Sequence, residues 1–187
     1  MTHKLKPWTV TASRIVLADR WIRLRADSCV APSGDVVDPF YVLEYRDWVH
    51  VVALTDDDRL VMNRQYRHAA GEVHLELPGG VMDEADADPI AAGRREFLEE
   101  TGHGAREFRH VVSLRPNPAT HTNRVHTVLA LGATPVALQS LDNGEEIAVE
   151  LLPVAEVLRV IREGAVQQST HVASLLLALA AAGRVTF

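Results

Sequence analysis

The 187-residue chain has a single cysteine, Cys29, so it can form no internal disulfide, and that scarcity fits a reducing compartment. It has no excess of basic residues. Nineteen Lys and Arg against 25 Asp and Glu leave a net charge of −6. That balance argues against nucleic-acid binding, which needs a basic face. An anionic substrate must then be met by local arginines or by metal, because the overall field repels it. No apolar run reaches membrane-spanning length, and Val172–Ala182 reads as a packed terminal helix. The opening residues, Met-Thr-His-Lys-Leu-Lys-Pro-Trp, lack the apolar core of a signal peptide. A soluble cytoplasmic protein is expected, with neither membrane nor nucleic acid as partner. Aromatics make up only 5% of the chain; Trp8, Trp21, Phe40 and Tyr41 could stack on a planar ring, but strand aromatics are more often core residues. There is no repeat and no low-complexity tract. Hydrophobic residues, at 47%, suffice for a sizeable core, and the length suits one domain with a modest extension.

Strand patterns cover residues 8–17, 21–30 and 36–45, with a turn at Ala31-Pro32-Ser33-Gly34-Asp35. Trp48–Leu54 and Arg59–Tyr66 flank Thr55-Asp56-Asp57-Asp58 as a hairpin, and Val73–Leu77 is a further strand. Strands follow near Phe108–Leu114, Arg124–Leu131 and Glu146–Pro153, with helices near Val154–Glu163 and His171–Ala182. Strands interleaved unevenly with a few helices point to α/β or α+β layers.

The most informative segment joins the glycine turn Leu77-Pro78-Gly79-Gly80 to Arg95-Glu96-Phe97-Leu98-Glu99-Glu100-Thr101-Gly102. Asp88-Pro89 reads as a helix N-cap followed by proline in the first turn, and Gly102 as the stop. Glu96, Glu99 and Glu100 then share one face, with Ile90, Ala91, Phe97 and Leu98 supplying the packing stripe on roughly the opposite face. Carboxylates at a helix C-terminus cost about 0.3–1 kcal/mol each, and like charges at i, i+4 add about 0.2–0.5 kcal/mol per pair. Arg95 can offset part of this by pairing with Glu99. A hard divalent cation could offset all of it, since Mg²⁺ or Mn²⁺ takes oxygen ligands.

These residues resemble the Nudix hydrolase box, whose pattern is Gly, five residues, Glu, seven residues, then Arg-Glu-aliphatic-x-Glu-Glu-x-Gly-aliphatic. The interval from Gly80 to Arg95 is one residue longer than the family spacing. The isolated box acid therefore falls on Asp86 counted forward or Ala87 counted back, and the closing aliphatic position is His103. The resemblance implies an α/β fold, an α/β/α sandwich around a mixed sheet, over residues 46–187. Residues 1–45 look like the N-terminal antiparallel sheet of the ADP-ribose pyrophosphatase branch, where the extra sheet helps to form a homodimer.

That branch also implies roles. Glu96, Glu99 and Glu100, with Gly80 and Glu76, would hold Mg²⁺ or Mn²⁺, and Arg95 would orient the carboxylates. Arg64 and Arg67, in an Arg-Gln-Tyr-Arg segment like that of the branch, would grip phosphate through planar guanidiniums. In the loop Arg115–Arg124, Pro116 or Pro118 matches a proline of ADP-ribose-specific members, but Ala119 and Asn123-Arg124 depart from the Gly and acid that often follow it there, and Arg124 and His121 could instead contact sugar or phosphate. The general base would lie on the loop Leu141–Glu146, as Glu145 or Glu146. Asn143 is the other residue that could align there, and Glu99 is the fallback base. The implied reaction is divalent-metal-dependent hydrolysis of a small nucleoside diphosphate linked to a sugar. The alternative is a nucleotide sensor on the same fold, which binds without turnover.

Overall fold

The computed structural model describes residues 5–187. The first four residues of the expected 1–45 extension lie outside the described residues. The chain divides into two compact units. One comprises the N-terminal segment to Arg46 together with Arg115–Asn123, and the other comprises Asp47–Leu114 with Arg124–Phe187.

In the first unit, β1 (Thr9–Ala18), β2 (Arg23–Val30) and β3 (Val36–Leu43) form an antiparallel sheet in the order β1-β2-β3. Pro39 sits in β3, an edge strand, where its missing N–H interrupts no interior ladder. The proline-bearing loop joins this unit through its backbone. The Leu43 N–H donates to the Thr120 carbonyl at 2.8 Å, and the Thr122 N–H donates to the Leu43 carbonyl at 3.1 Å.

The second unit is built on a seven-stranded mixed sheet. Its strands are β4 (Trp48–Leu54), β5 (Arg59–Arg67), β6 (Glu72–Glu76), β7 (Gly79–Val81), β8 (His103–Leu114), β9 (Val125–Pro135) and β10 (Ile147–Pro153). The main path runs β10-β5-β4-β9-β8, while β6 pairs with β5 and β7 with β4. Only β4 and β9 pair in parallel. The helices are α1 (Pro89–Thr101), α2 (Val154–Arg162) and α3 (Ser169–Ala181).

Strand alternation assigns the two faces. Val49, Val51 and Ala53 of β4 pack with Ala92 and Phe97 of α1. Val52 and Leu54 of the same strand pack with Val157 of α2 and with Leu175, Ala178 and Leu179 of α3. The sheet is thus covered by α1 on one side and by α2 and α3 on the other, an α/β/α sandwich. Among the described residues no helix is long and apolar enough to cross a membrane.

Helix α1 is bounded as its sequence predicts. Asp88 accepts the Ala91 N–H at 2.8 Å, proline opens the first turn, and Gly102 closes the helix at φ 67°, its N–H on the Leu98 carbonyl. Its packing stripe differs from the expected one. Leu98 is 41% exposed, and Ile90 and Ala91 are only half-buried. The buried set is Ala92, Gly93, Phe97, Glu100 and Thr101. The small Gly93 sets this rotation. A Cβ there would lie 3.3 Å from methyls of Val51 and Val128, so the helix backbone itself rests on the sheet. The glycine turn also does more than reverse the chain, because Gly79–Val81 forms a short strand on β4. Strands β8 and β9 extend past their expected limits as one long antiparallel pair.

The corrected stripe has a measurable consequence. Phe97→Ala should cost about 3–5 kcal/mol and Leu98→Ala less than about 1 kcal/mol, read as urea unfolding midpoints. Equal losses would contradict the rotation of α1 described here.

Candidate active site

The end of α1 brings Glu96, Glu99 and Glu100 to three different environments. Glu100 is buried. Its Oε2 accepts two hydrogen bonds, from the Gly79 N–H at 2.8 Å and from Asn63 Nδ2 at 2.9 Å, which leaves Oε1 for another partner. Glu96 lies against the glycine strand, and a Cβ on Gly80 would come within 2.7 Å of its carboxylate. Glycine is thus required at position 80 for this close approach. The Glu99 side chain is 43% exposed.

Arg95 ties the group together. Its Nη1 donates to Glu96 at 2.9 Å and to Glu99 at 3.1 Å. Its Nη2 donates to Asp86 at 2.9 Å and to the Val81 carbonyl at 3.2 Å, and its Nε donates to Asp86 at 3.2 Å. Two loop side chains thus reach Arg95, Asp86 through hydrogen bonds and Asp83 as an ion pair at 3.7 Å, and Asp86 also accepts the Asp83 N–H at 2.8 Å. The one-residue excess in spacing is absorbed in that loop, outside both β7 and α1.

Glu76 is 2% exposed, and the Arg67 fork grips it, with Nη2 at 2.5 Å and Nε at 2.9 and 3.0 Å. Strand geometry separates the two arginines of the Arg-Gln-Tyr-Arg segment. Asn63 and Arg67, four residues apart on β5, share the face that meets Glu76 and Glu100. Arg64 lies on the other face, where it pairs with Glu150 of β10 at 2.5 Å. The structure thus brings Arg67 to the carboxylates and leaves Arg64 in a surface ion pair.

Burial and like charge raise the proton affinity of the inner carboxyls. The Glu96 carboxyl is pushed up to about 7, chiefly by burial, with Arg95 opposing and Glu99 and Glu145 adding. That of Glu100 is pushed up to about 8 by burial, opposed by the Gly79 N–H and reinforced by Glu96 and Glu145. Glu145 also ranks among the principal charges acting on Arg67. Glu145 and Glu146 of the loop Leu141–Glu146 are both exposed, and of the two it is the charge of Glu145 that acts on this cluster.

Arg124 has an exposed side chain, and its backbone N–H donates to Asp47 at 2.7 Å. Pro116, Pro118 and His121 belong to the first unit, where the His121 ring stands edge-on to Tyr45 at 5.3 Å.

Among the described residues no three His, Cys, Asp or Glu side chains converge as a ready-made metal cage. Arg95 and Arg67 now neutralise the charges a cation would otherwise meet. The donor set nevertheless fits a hard divalent ion. Glu100 Oε1 is uncommitted, Asn63 Oδ1 is buried without a hydrogen-bond partner, and Gly80 leaves open the space beside Glu96.

Residues 44–174 match the family described as the NUDIX domain. The chain belongs to that family. Residues 8–43 match the nucleoside diphosphate sugar hydrolase N-terminal domain. The chain is 31% identical over 154 residues to an ADP-ribose pyrophosphatase of Mycobacterium tuberculosis, covering 82% of this chain and 74% of that one. It is 26% identical over 176 residues to a CMP-5'-(N-acetyl-N-hydroxy-3-aminopropyl)phosphonate hydrolase of Streptomyces rubellomurinus, covering 94% and 84%. A solved structure of an ADP compounds hydrolase superposes with a TM-score of 0.86 at 22% identity, covering 97% of this chain and 99% of that one, which establishes the fold.

Within this Nudix hydrolase, sequence reasoning missed Asn63. The available signal was a lone amide at the end of the apolar run Leu60-Val61-Met62, since a buried polar side chain demands a partner. The part played by the Gly79 N–H was not legible either, because it depends on β7 closing onto β4.

The raised carboxyls predict a pH dependence. In the unfolded chain they ionise near about 4.3; in the fold they do so at about 7 and about 8. The fold holds these protons more tightly, so their stabilising contribution is full below the unfolded value and is lost as pH rises through the folded values. Without divalent cation, the melting temperature should fall from about pH 4.5 to about pH 8, and Mg²⁺ should raise it most at the alkaline end, where its ligands are ionised. Scanning calorimetry with and without Mg²⁺ checks both trends, and a Mg²⁺ shift independent of pH would contradict them.

Proposed function

We propose that this Nudix hydrolase cleaves the diphosphate bridge of a nucleoside diphosphate linked to a sugar, with ADP-ribose as the leading substrate and Mg²⁺ as the cation. The observation that carries the reading is Glu100, fixed by Asn63 and Gly79 within the fields of Glu96 and Glu145. The names of the Mycobacterium tuberculosis relative and of the N-terminal family support the substrate class.

Glu96, Glu99 and Glu100, with the Gly80 backbone and Glu76, would hold Mg²⁺. When bound, the ion supplies charge neutralisation on the diphosphate and a more acidic water. The remaining chemistry belongs to side chains. Arg95 keeps Glu96 and Glu99 oriented. Arg67, half-exposed beside Glu76, offers guanidinium charge to phosphate oxygens. Glu145 takes the proton of the attacking water. The water oxygen bonds to one phosphorus as the bridging P–O bond breaks, and the bridging oxygen departs with the other phosphate. The products are a nucleoside monophosphate and a sugar phosphate. Pro118 and Arg124 remain candidates for substrate contact, whereas Arg64 is the weakest of the proposed set because it faces away from Glu100.

Glu99→Gln and Glu100→Gln should each lower kcat at least about 100-fold while the circular dichroism spectrum is retained. Glu145→Gln should do so as well, with Glu146→Gln close to wild type. ADP-ribose turnover followed by phosphate-product chromatography reads all four. Unchanged turnover in both helix variants would remove the assignment.

The reading extends to assembly and location. β1 is exposed along its whole length and carries Val10, Ile15, Val16 and Leu17, with Trp21 just beyond it 74% exposed. A sheet with so much uncovered apolar surface suits a homodimer contact. Scarce cysteine suits the cytoplasm. Sedimentation should give a dimer for the wild type and a monomer for Ile15→Glu combined with Leu17→Glu. A wild-type monomer would overturn the dimer.

A further inference from the structure

Two buried histidines stand behind the glycine strand, and no step of the proposed reaction uses them. His171 of α3 is 3% exposed, and its ring lies against that of His50 of β4, tilted by 52° with centroids 4.0 Å apart. His171 Nδ1 lies 2.8 Å from the Leu77 backbone N–H. A backbone N–H can only donate, so Nδ1 is the unprotonated nitrogen of a neutral ring. Burial, with His50 and Arg67 nearby, holds this imidazole well below its ordinary value and keeps it neutral. The second ring is anchored in turn. His50 Nδ1 lies 3.2 Å from Ser174 Oγ, which is 2.8 Å from Thr127 Oγ1.

Leu77-Pro78 is the short link between Glu76, the last residue of β6, and Gly79, the first of β7. It is tied at successive points. The Leu77 N–H reaches His171, the Pro78 carbonyl accepts the Val51 N–H at 2.8 Å, and the Gly79 N–H reaches Glu100. His50 also pairs with Gly79 through the strand ladder, so the two contacting rings join both ends of the link. Only the Leu77 tie uses a side chain from α3. Proline has no N–H, so the link has no second donor to replace the one on Leu77.

We propose that His171 is a positioning residue, which accepts the Leu77 N–H and thereby fixes the Glu76–Gly80 segment against Glu96 and Glu100. The role rests on the reading of these residues as the cation site.

The test uses the full-length protein, His171→Leu and His171→Asn. The asparagine carboxamide keeps an acceptor at the same place on the side chain, and leucine does not. Amide hydrogen exchange by NMR in metal-free buffer should accelerate at Leu77 and Gly79 at least about 100-fold in the leucine variant and less than about fivefold in the asparagine variant. Exchange at Leu131 in β9 should stay unchanged in both. Mg²⁺ titration by calorimetry should show at least about tenfold weaker binding in the leucine variant and recovery in the asparagine variant. Wild-type exchange in a folded leucine variant, or equal damage in both variants, would overturn the proposal. So would faster exchange with unchanged Mg²⁺ affinity in a protein whose Mg²⁺ binding Glu100→Gln abolishes. If Glu100→Gln also leaves Mg²⁺ binding intact, the cation-site reading itself falls. If the leucine variant does not fold, the wild-type imidazole nitrogens decide. Two-bond ¹⁵N–¹H spectra should show His171 protonated at Nε2 only, and a proton on Nδ1 would overturn the proposal.

Discussion

The candidate site depends on a buried carboxylate whose one oxygen receives two donors. Glu100 would be costly on α1 if it were alone, because burial of an unpaired charge is strongly disfavoured. The Asn63 amide and the Gly79 N–H make the position tolerable without neutralising it. Three elements meet at that oxygen: α1, β5 and the glycine strand on β4. Neither donor is charged, so the inner carboxyl keeps a raised proton affinity. Such a group is poised to exchange its proton for a cation, which a guanidinium partner would have discouraged.

The outer carboxylates follow a different rule. Glu96 and Glu99 share Arg95, at the margin of the cluster and partly open to solvent, where they are easier to rearrange than Glu100. Glu76 is buried like Glu100, but its partner is the charged fork of Arg67. The site is therefore graded, with a fixed inner group and adjustable outer ones. The arginines act as internal counter-ions, which suits a protein whose overall charge is negative and whose proposed substrate is an anion.

Much of this was legible in residues close together along the chain. Asp88, Pro89 and Gly102 mark the limits of α1 through local capping chemistry. The Arg95-Glu96 and Glu99-Glu100 core lies on one helix, so its spacing alone gives proximity. What sequence reasoning could not place depends on contacts between distant segments. The rotation of α1 follows from Gly93 resting on Val51 and Val128. The split of Arg64 from Arg67 follows from alternation on β5 combined with the pairing of that strand to β6 and β10. Asn63 and His171 reach the site only through sheet register and helix docking. The choice between Asp86 and Ala87 needed the reach of Arg95, which no count along the chain provides.

The seat of Gly93 on the sheet has one more consequence. Helix α1 has no compliant layer of side chains at that point, so its body is seated as firmly as the strands beneath it. The carboxylates consequently share the cooperative unit of the central strands. Heat should leave the geometry of the candidate site whole up to the global transition and then abolish it at once.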